Sequence, residues 1–246
     1  MNDPDKLFAK ITRVQDFSFD DQVAKVFDDM VARSIPFYNE IQRVQTELIM
    51  EFLPDTPSVV CDLGCSTVTT LAHLVSHPDC PAQARFIGYD NAEAMLAKAQ
   101  IKLANQLATG QVALYLQDLC QLQTLPRCHV AILNWTLQFV RPLVRERLLA
   151  CIYQALQPSG ILLLSEKILA NDPLLNSLYI DNYLHFKKSQ SGYTDFENQR
   201  KREALENVLV PYRLDENILL LQHAGFKHVD SYFQWFNFVC LLAVKT

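Results

Sequence analysis

Short apolar runs alternate with longer helical segments through the middle of the chain. The runs are four to six residues long and predict buried strands at Ser58–Leu63, Arg85–Asp90, Gln111–Leu116, His129–Leu133 and Ile161–Leu164. Helical periodicity or composition predicts helices over Thr69–Ser76, Glu93–Leu107 and Arg145–Leu156. Strands separated by helices at this spacing form βαβ units, so we predict an α/β fold with a doubly wound, mostly parallel sheet.

The two flanks of this core follow different patterns. Residues 1–55 have apolar positions at helical spacing, interrupted at Pro36 and ended at Pro54, and predict N-terminal helices. Residues 171–211 are polar with scattered aromatics and predict a helical insertion. A helix over Asp215–Ala224 and strands over Val229–Phe233 and Phe236–Val244 then follow. We therefore expect seven strands, the last antiparallel.

Length and composition favour one large domain. With 246 residues, half of them hydrophobic, the chain can bury a sizeable core. We expect a single domain over residues 1–246, comprising an N-terminal helical cap (1–55), a core (56–170), a helical insertion (171–211) and a final helix with two strands (212–246). Any ligand of the core is expected at the carboxyl ends of its strands.

Charge and cysteine content narrow the function classes. The net charge of −5 disfavours a protein that grips nucleic acid with its whole surface. The chain has seven cysteines, an odd number, and no two of them form a CxxC motif. This indicates reduced thiols and a cytoplasmic protein. The start, Met1–Asp5, lacks the basic and apolar regions of a signal peptide, and no apolar stretch reaches 18 residues, so no membrane association is expected.

Polar residues stand at or just past the ends of four predicted strands. They are Asp62, Asp90, Asp118 and Asn134. The carboxylate of Asp90 suits a ribose diol, because one carboxylate accepts from both hydroxyls. Asp118, with the backbone of Leu119, suits an adenine ring. Together the positions favour a ligand that contains adenosine, although each aspartate has the alternative role of capping the following helix.

The first of these loops, Asp62-Leu63-Gly64-Cys65-Ser66, resembles the first motif of class I S-adenosylmethionine-dependent methyltransferases. No G-x-G-x-x-G sequence occurs, which disfavours a dinucleotide. The expected strand order, with its antiparallel finish, is similar to the class I methyltransferase fold. Trp135, just past the end of the fourth strand, is a further pocket candidate.

Longer blocks resemble a narrower family, the carboxy-S-adenosyl-L-methionine synthases. The blocks occur in order along nearly the whole chain and are Val23–Tyr38, Leu133–Phe139, Leu164–Lys167, Lys201-Arg202 with Leu205–Val208, and Gln234–Phe238. The resemblance implies conversion of S-adenosylmethionine, as a substrate, and prephenate into carboxy-S-adenosylmethionine and phenylpyruvate. It further implies a homodimer, no metal and no direct tRNA binding. The product would supply a downstream enzyme that carboxymethylates a wobble uridine of tRNA.

The resemblance also assigns site residues. Those implied to bind S-adenosylmethionine are Tyr38, Gly64, Cys65, Ser66, Asp90, Asn91, Asp118, Leu119 and Asn134. Arg202 is implied to bind the new carboxylate from the neighbouring subunit, where a guanidinium can hold it through two parallel hydrogen bonds. Without the resemblance, we would predict that Arg202 lies on a solvent-exposed helix face. No residue is assigned as general base.

Two positions depart from the family, which usually has glycine where this chain has Val68 and a small residue where it has Phe37. Val68 could narrow the pocket or shift the loop. The alternative functions are therefore an ordinary methyltransferase, or a cofactor-binding relative with reduced activity. Two other readings are disfavoured: a metal site at His73 and His77, and a nucleophilic role for Cys65.

Overall fold

A mostly parallel β-sheet with helices on both faces forms the centre of the molecule. The computed structural model describes residues 5–9 and 15–246. The strands are β1 (Val59–Leu63), β2 (Arg85–Asp90), β3 (Val112–Leu116), β4 (Cys128–Asn134), β5 (Leu156–Leu169), β6 (Tyr212–Arg213), β7 (His228–Trp235) and β8 (Phe238–Val244). The order across the sheet is β3-β2-β1-β4-β5-β8-β7. Strands β1 to β5 are parallel, and β8 pairs antiparallel with both β5 and β7.

The predicted α/β fold with an antiparallel last strand is confirmed, whereas the predicted count of seven strands is one short. The additional strand is β6, which has two residues and pairs with the end of β5. A strand this short has no alternation of its own to detect, because its pairing depends entirely on the neighbouring strand.

The central strands are apolar on both sides, because helices cover both faces of the sheet. Alternate residues of one strand point to opposite faces. Thus Leu133 packs in one hydrophobic cluster with Leu148 and Leu221, and its neighbour Ile132 packs in the other with Leu71 and Leu96.

The helices agree with the sequence pattern in most places. They are α1 (Asp21–Ser34), α2 (Tyr38–Phe52), α3 (Thr69–Val75), α4 (Glu93–Lys102), α5 (Ala104–Ala108), α6 (Pro142–Ala155), α7 (Pro173–Ser189), α8 (Asp195–Leu205) and α9 (Leu214–Ala224), with a 3₁₀ turn at Leu137–Phe139. The single helix predicted over Glu93–Leu107 is wrong, because the backbone leaves helical geometry at Leu103. Helix α6 begins three residues before its predicted start, at Pro142, a position where proline is tolerated.

The insertion expected at 171–211 contains α7 and α8. The carboxylate of Asp172 caps α7, and a capping box between Thr194 and Glu197 begins α8. Its scattered aromatic side chains differ in exposure: Tyr193 is buried and Tyr183 packs against Phe238, whereas Phe196 is exposed. The exposed apolar residues of this region are three leucines of α7, Leu174, Leu175 and Leu178, together with Phe196 of α8 and Val210.

The N-terminal cap expected at 1–55 is described from residue 15 onwards and at 5–9. Residues 1–4 and 10–14 lie outside the described residues. The prediction that Met1–Asp5 is not the start of a signal peptide therefore falls mostly on residues outside that range. Among the helices that are described, none is both long enough and apolar enough to cross a membrane.

Both positions at which the chain departs from the family that it resembles adopt left-handed backbone conformation. Val68 has φ of 57° and precedes α3, and Phe37 has φ of 58° and precedes α2. Glycine enters this region without strain, whereas an L-residue incurs a cost of about 1–2 kcal/mol. The small residue typical of the family is therefore the residue that this backbone favours. The fully buried Val68 side chain packs in the core with Leu71 and is not among the residues that line the cavity described below.

Replacing Phe37 tests this strain, because its side chain is 55% exposed and little packing is lost. We expect Phe37→Gly to be more stable to urea than Phe37→Ala by about 1 kcal/mol. Lys25, exposed in the middle of α1, is the control position, where alanine should be more stable than glycine by about 1 kcal/mol. The same order of stability at both positions would show that the backbone at residue 37 is unstrained.

Candidate functional site

A cavity of about 290 Å³ lies at the carboxyl ends of the parallel strands. It is bordered by the strand ends, by α1 and α2, and by the insertion. Nine of the ten residues predicted for the site line it, and these are Tyr38, Gly64, Cys65, Ser66, Asp90, Asn91, Asp118, Leu119 and Asn134. Residues of α2, β2 and β4 and of the loops after β1, β2 and β3 are thus brought together. Arg202 is not among the lining residues.

The first loop is shaped by Gly64, whose φ is +82°. The amides of Gly64 and Cys65 both donate to the carbonyl of Tyr89, at 2.7 and 2.9 Å, which ties the loop to the end of β2. A Cβ at residue 64 would lie 2.3 Å from the hydroxyl oxygen of Thr136. Glycine therefore serves here both for its backbone conformation and for the close approach of Thr136.

Asp90 connects the first loop to the segment after β2. One carboxylate oxygen accepts from the amide of Ser66 at 2.8 Å, and the other accepts from Ala92 at 2.9 Å. Burial raises the pKa of this carboxyl, while the backbone hydrogen bonds oppose the shift. Asp90 is not the cap of α4, because that position is held by Ala92 and has no side-chain cap, and the bond to Ser66 reaches a different loop. Each oxygen retains acceptor capacity toward the cavity.

Asp62 is the most deeply buried carboxyl of the cavity wall, at 2% exposure. Burial, together with the nearby charge of Asp90, raises its pKa to about 7. The two carboxyls make this end of the cavity acidic. A positively charged group placed here would favour the ionised form of both.

Asp118 shapes the turn after β3. One carboxylate oxygen accepts from the amide of Cys120 at 2.8 Å. No helix begins at this point, so the alternative of a helix cap does not apply to Asp118. Leu119 is buried and lines the same part of the cavity.

The side chain of Asn134 has all of its hydrogen-bonding positions occupied inside the protein. Its amide nitrogen donates to Gln45 at 2.9 Å and to Thr70 at 3.2 Å. Its oxygen accepts from Gln45 at 2.7 Å and from Ser165 at 2.9 Å. The side chain therefore positions the end of β4, and a ligand contact at Asn134 would have to use its backbone. Sequence reasoning missed Gln45, a buried glutamine on a helix face that also buries Gln42 and Thr46.

Three buried polar atoms of the cavity wall have no hydrogen-bond partner among the described residues. They are Oε1 of Gln42, the hydroxyl oxygen of Ser66 and the indole nitrogen of Trp135. Unpaired buried polar groups are costly, so these atoms favour a polar ligand in the cavity. This agrees with the expectation that Trp135 belongs to the pocket, and the donor set fits a nucleoside with hydroxyl groups.

The opposite end of the cavity is basic. Lys167, near the end of β5, and Lys201, on α8, both line it. Arg202 lies next to Lys201, is exposed, and is close enough for its charge to lower the pKa of Lys167. Sequence reasoning singled out Arg202 and not the two lysines, although a lysine near the end of a parallel strand was an available signal.

Other chemistry considered from the sequence finds little support in the geometry. Burial raises the pKa of the Cys65 thiol, which disfavours a nucleophilic role. His77 lies 3.9 Å from Asp79. Within residues 5–9 and 15–246, no three histidine, cysteine or acidic side chains are grouped so as to hold a metal ion.

Comparison with known proteins gives one consistent family. The profile described as "Methyltransferase domain" matches residues 60–160. The chain is 46% identical to the carboxy-S-adenosyl-L-methionine synthase of Methylococcus capsulatus, over 94% of this chain and 95% of that one. It is 42% identical to the synthases of Desulfotalea psychrophila, over 98% and 97% of the two chains, and of Nautilia profundicola, over 98% and 99%.

Solved structures with a similar fold are methyltransferases of much lower identity. A putative O-methyltransferase from Nostoc punctiforme superposes with a TM-score of 0.63 at 17% identity, over 92% of this chain and 59% of that one. The magnesium protoporphyrin IX methyltransferase of Synechocystis superposes with a TM-score of 0.58 at 18% identity, over 88% and 87%. At these identities the likeness is one of fold alone.

Proposed function

The chain belongs to the carboxy-S-adenosyl-L-methionine synthase family, and on that premise we propose that it converts S-adenosylmethionine and prephenate into carboxy-S-adenosylmethionine and phenylpyruvate. As a member of this family it is a transferase with S-adenosylmethionine-dependent activity. The observation that carries the finer proposal is the opposed charge of the two ends of one cavity.

The acidic end suits S-adenosylmethionine, which is cationic at its sulfonium. We propose that Asp90 binds the ribose hydroxyls, Asp118 and Leu119 the adenine, and the first loop the amino-acid part, since all of these residues line the cavity. The unpaired hydroxyl of Ser66 supplies a further donor or acceptor. The basic end suits an anionic second substrate, and prephenate carries two carboxylates.

The proposed reaction balances without any further reagent. Aromatisation of prephenate releases one carboxylate as carbon dioxide and the ring hydroxyl as hydroxide, and leaves phenylpyruvate. The hydroxide takes one proton from the methyl group of S-adenosylmethionine and becomes water. The electron pair left on the methyl carbon forms the bond to carbon dioxide. Net charge is conserved, because one substrate loses a negative charge and the other gains one.

In this reaction the protein contributes positioning and the exclusion of water. A carbanion equivalent and carbon dioxide must meet before solvent quenches either, which requires an enclosed site. Apolar side chains such as Phe19, Met30 and Phe139 wall the cavity between its charged ends. We assign no side chain as general base.

The product would supply the carboxymethyl group for modification of a wobble uridine in tRNA by a downstream carboxymethyltransferase. We propose no direct contact between this chain and tRNA. The net charge of −5 supports this division of labour, because nucleic-acid affinity depends on an excess of cations.

Mass spectrometry of the ligand released from purified protein, and of the products formed from S-adenosylmethionine and prephenate, tests the proposal. We expect carboxy-S-adenosylmethionine and phenylpyruvate in equal amounts. Release of S-adenosylmethionine alone, with methyl transfer to an acceptor, would favour an ordinary methyltransferase. No ligand and no turnover would favour a relative with lost activity, for which Val68 is the first suspect.

We also propose that the chain forms a homodimer. Helix α7 exposes Leu174 by 77% and Leu178 by 50%, side by side at i and i+4. An apolar helix face of this kind is typical of a subunit interface. We expect light scattering at micromolar concentration to give the mass of two chains, and Leu174→Glu with Leu178→Glu to give one. A wild-type monomer would contradict the dimer and the sharing of Arg202 between subunits.

A further inference from the structure

Three lysine side chains meet between the insertion and the end of the cavity beside β5. This lysine cluster consists of Lys167 on β5, Lys187 on α7 and Lys201 on α8. Lys187 and Lys201 are only 4% and 7% exposed. Lysine is rarely buried to this extent without a charged partner. Holding several buried positive charges together is energetically unfavourable unless an anion compensates them.

Two tyrosine rings join the three ammonium groups. The Nζ atoms of Lys167 and Lys187 lie 4.8 and 5.7 Å from the centre of the Tyr183 ring. Those of Lys187 and Lys201 lie 4.7 and 5.6 Å from the centre of the Tyr193 ring. Lys187 thus stands between the other two lysines, and the π faces attract all three cations.

The surrounding acidic groups do not neutralise the cluster. Lys201 donates to the hydroxyl of Ser34 at 2.8 Å and has Asp5 at 3.9 Å. Asp5 also accepts from the hydroxyl of Tyr193. The ammonium groups of Lys167 and Lys187 have neither a hydrogen bond nor an ion pair within the part of the chain that the structure describes.

The charges that act on the cluster are mixed in sign. Burial, the largest cause for each, acts together with neighbouring charges to lower the pKa of Lys187 to about 7 and that of Lys167 and Lys201 to about 8. Among those charges, Arg202 lowers the pKa of Lys167, and Lys201 and Lys167 lower that of Lys187. Asp5 raises the pKa of both Lys187 and Lys201, and Glu197 also raises that of Lys187. For Lys201, Arg33 lowers the pKa and Asp29 raises it. The free protein thus holds cations whose charge is only partly balanced.

Two members of the cluster, Lys167 and Lys201, line the cavity on the side that S-adenosylmethionine leaves open, and Lys187 joins them through the Tyr183 and Tyr193 rings. The residues proposed for adenine, ribose and the amino-acid part follow the ends of β3, β2 and then β1 with β4. The next strand in the sheet is β5, which carries Lys167. A second substrate would therefore lie at β5, next to the reacting methyl group.

We propose that the lysine cluster is the subsite for the two carboxylates of a small dianionic second substrate, which in the proposed function is prephenate. The inference rests on that function and extends it to residues that the sequence did not single out. The nearby carboxylates of Asp5 and Glu197 offset the three lysines only in part, which leaves positive charge for a dianion. The product phenylpyruvate keeps one carboxylate, so the cluster holds it less tightly and favours its release.

The competing occupant of the cluster is the carboxylate of the amino-acid part of S-adenosylmethionine. The two occupants differ in which affinity the lysines control. The experiment measures both on protein saturated with S-adenosylhomocysteine, which lacks the methyl group, so that prephenate binds without turnover.

Lys167→Met and Lys187→Met are the test variants, because methionine keeps an unbranched apolar stem and removes the charge. Lys188→Met is the matched control: this neighbour of Lys187 is 59% exposed and pairs with Asp195. By calorimetry we expect each test variant to bind prephenate about 10-fold more weakly, and the control to bind like wild type. Affinity for S-adenosylhomocysteine should stay within about 2-fold in all of them.

Proton uptake is a second readout that a purely structural role would not change. A bound dianion favours the charged lysines and so raises their pKa values, which makes the protein take up protons at pH 8. The heat of prephenate binding should therefore depend on the ionisation enthalpy of the buffer. We expect this dependence to be smaller in Lys187→Met than in wild type.

The possible outcomes separate the subsite from the function. Unchanged prephenate affinity in both test variants, with wild-type turnover intact, overturns the subsite alone. Equal loss of S-adenosylhomocysteine affinity also overturns it and assigns the cluster to the amino-acid carboxylate. Lysine-dependent prephenate binding without any carboxylated product sustains the subsite and overturns the function. Wild-type protein that does not bind prephenate overturns both.

Discussion

Arg202→Ala is expected to lose about 30- to 1000-fold of its affinity for carboxy-S-adenosylmethionine while binding S-adenosylmethionine almost as wild type does. The two ligands share every group except one carboxylate, so a contact made only to that carboxylate appears as a difference in affinity. A bidentate guanidinium pair in a partly buried site is worth roughly 2–4 kcal/mol. Calorimetry with the two ligands measures the difference.

Arg202→Lys should recover only part of this loss, because a point charge cannot reproduce two parallel hydrogen bonds. Arg200→Ala is the control on the same helix, since Arg200 is engaged by Glu203 at 2.9 Å. If Arg202→Ala weakens both ligands alike, or wild type does not distinguish them, the synthase assignment of Arg202 fails. An ordinary methyltransferase would then be the better account.

Asp90→Ala is expected to weaken the binding of S-adenosylmethionine by about 10- to 150-fold. The substitution removes a charged acceptor for the ribose hydroxyls and leaves the amides of Ser66 and Ala92 without their partner. Calorimetry measures the affinity, and thermal unfolding verifies that the variant is folded. Asp230→Ala is the control, because Asp230 is an exposed aspartate of β7. Unchanged affinity in folded Asp90→Ala would remove this residue from the site.

A mixture of the two variants decides whether Arg202 acts across subunits. In a mixed dimer of Arg202→Ala and Asp90→Ala chains, an arginine acting across the interface restores one complete site. An arginine acting within its own chain restores none. Because Arg202 is exposed and outside the cavity lining of its own chain, we expect a fraction of mixed sites to recover wild-type affinity for the carboxylated ligand.

The sequence predicts well those features that depend on neighbouring residues. Apolar runs bounded by polar residues give the core strands β1 to β4 to within one residue at each end. Because parallel strands end at one edge of the sheet, Asp62, Asp90, Asp118 and Asn134 were expected together, and all of them line one cavity. The spacing of apolar residues and the topology of a parallel sheet are sufficient to predict these strands and this group of polar residues.

Features that depend on distant residues escape such reasoning. The lysine cluster joins β5 to two helices of an insertion, and its members share no local pattern with one another. The saturation of Asn134 depends on Gln45, which lies 89 residues earlier in the chain. The left-handed backbone at Val68 cannot be predicted from the residue itself, because valine disfavours that conformation. Only the comparison with the family, in which glycine is usual at this position, indicated it.

The position of β8 in the sheet determines the order in which the strands can pair during synthesis of the chain. This strand lies between β5 and β7, yet the ribosome synthesises it after both. Until residues 238–244 emerge, β5 keeps one edge unpaired along the seven positions from Ile161 to Lys167, most of them apolar. Open apolar edges recruit other chains, so a nascent polypeptide at this stage is a natural client for chaperones. Since Phe238 also lines the cavity, the ligand site is completed only after β8 has joined the sheet, so ligand binding cannot precede that step of folding.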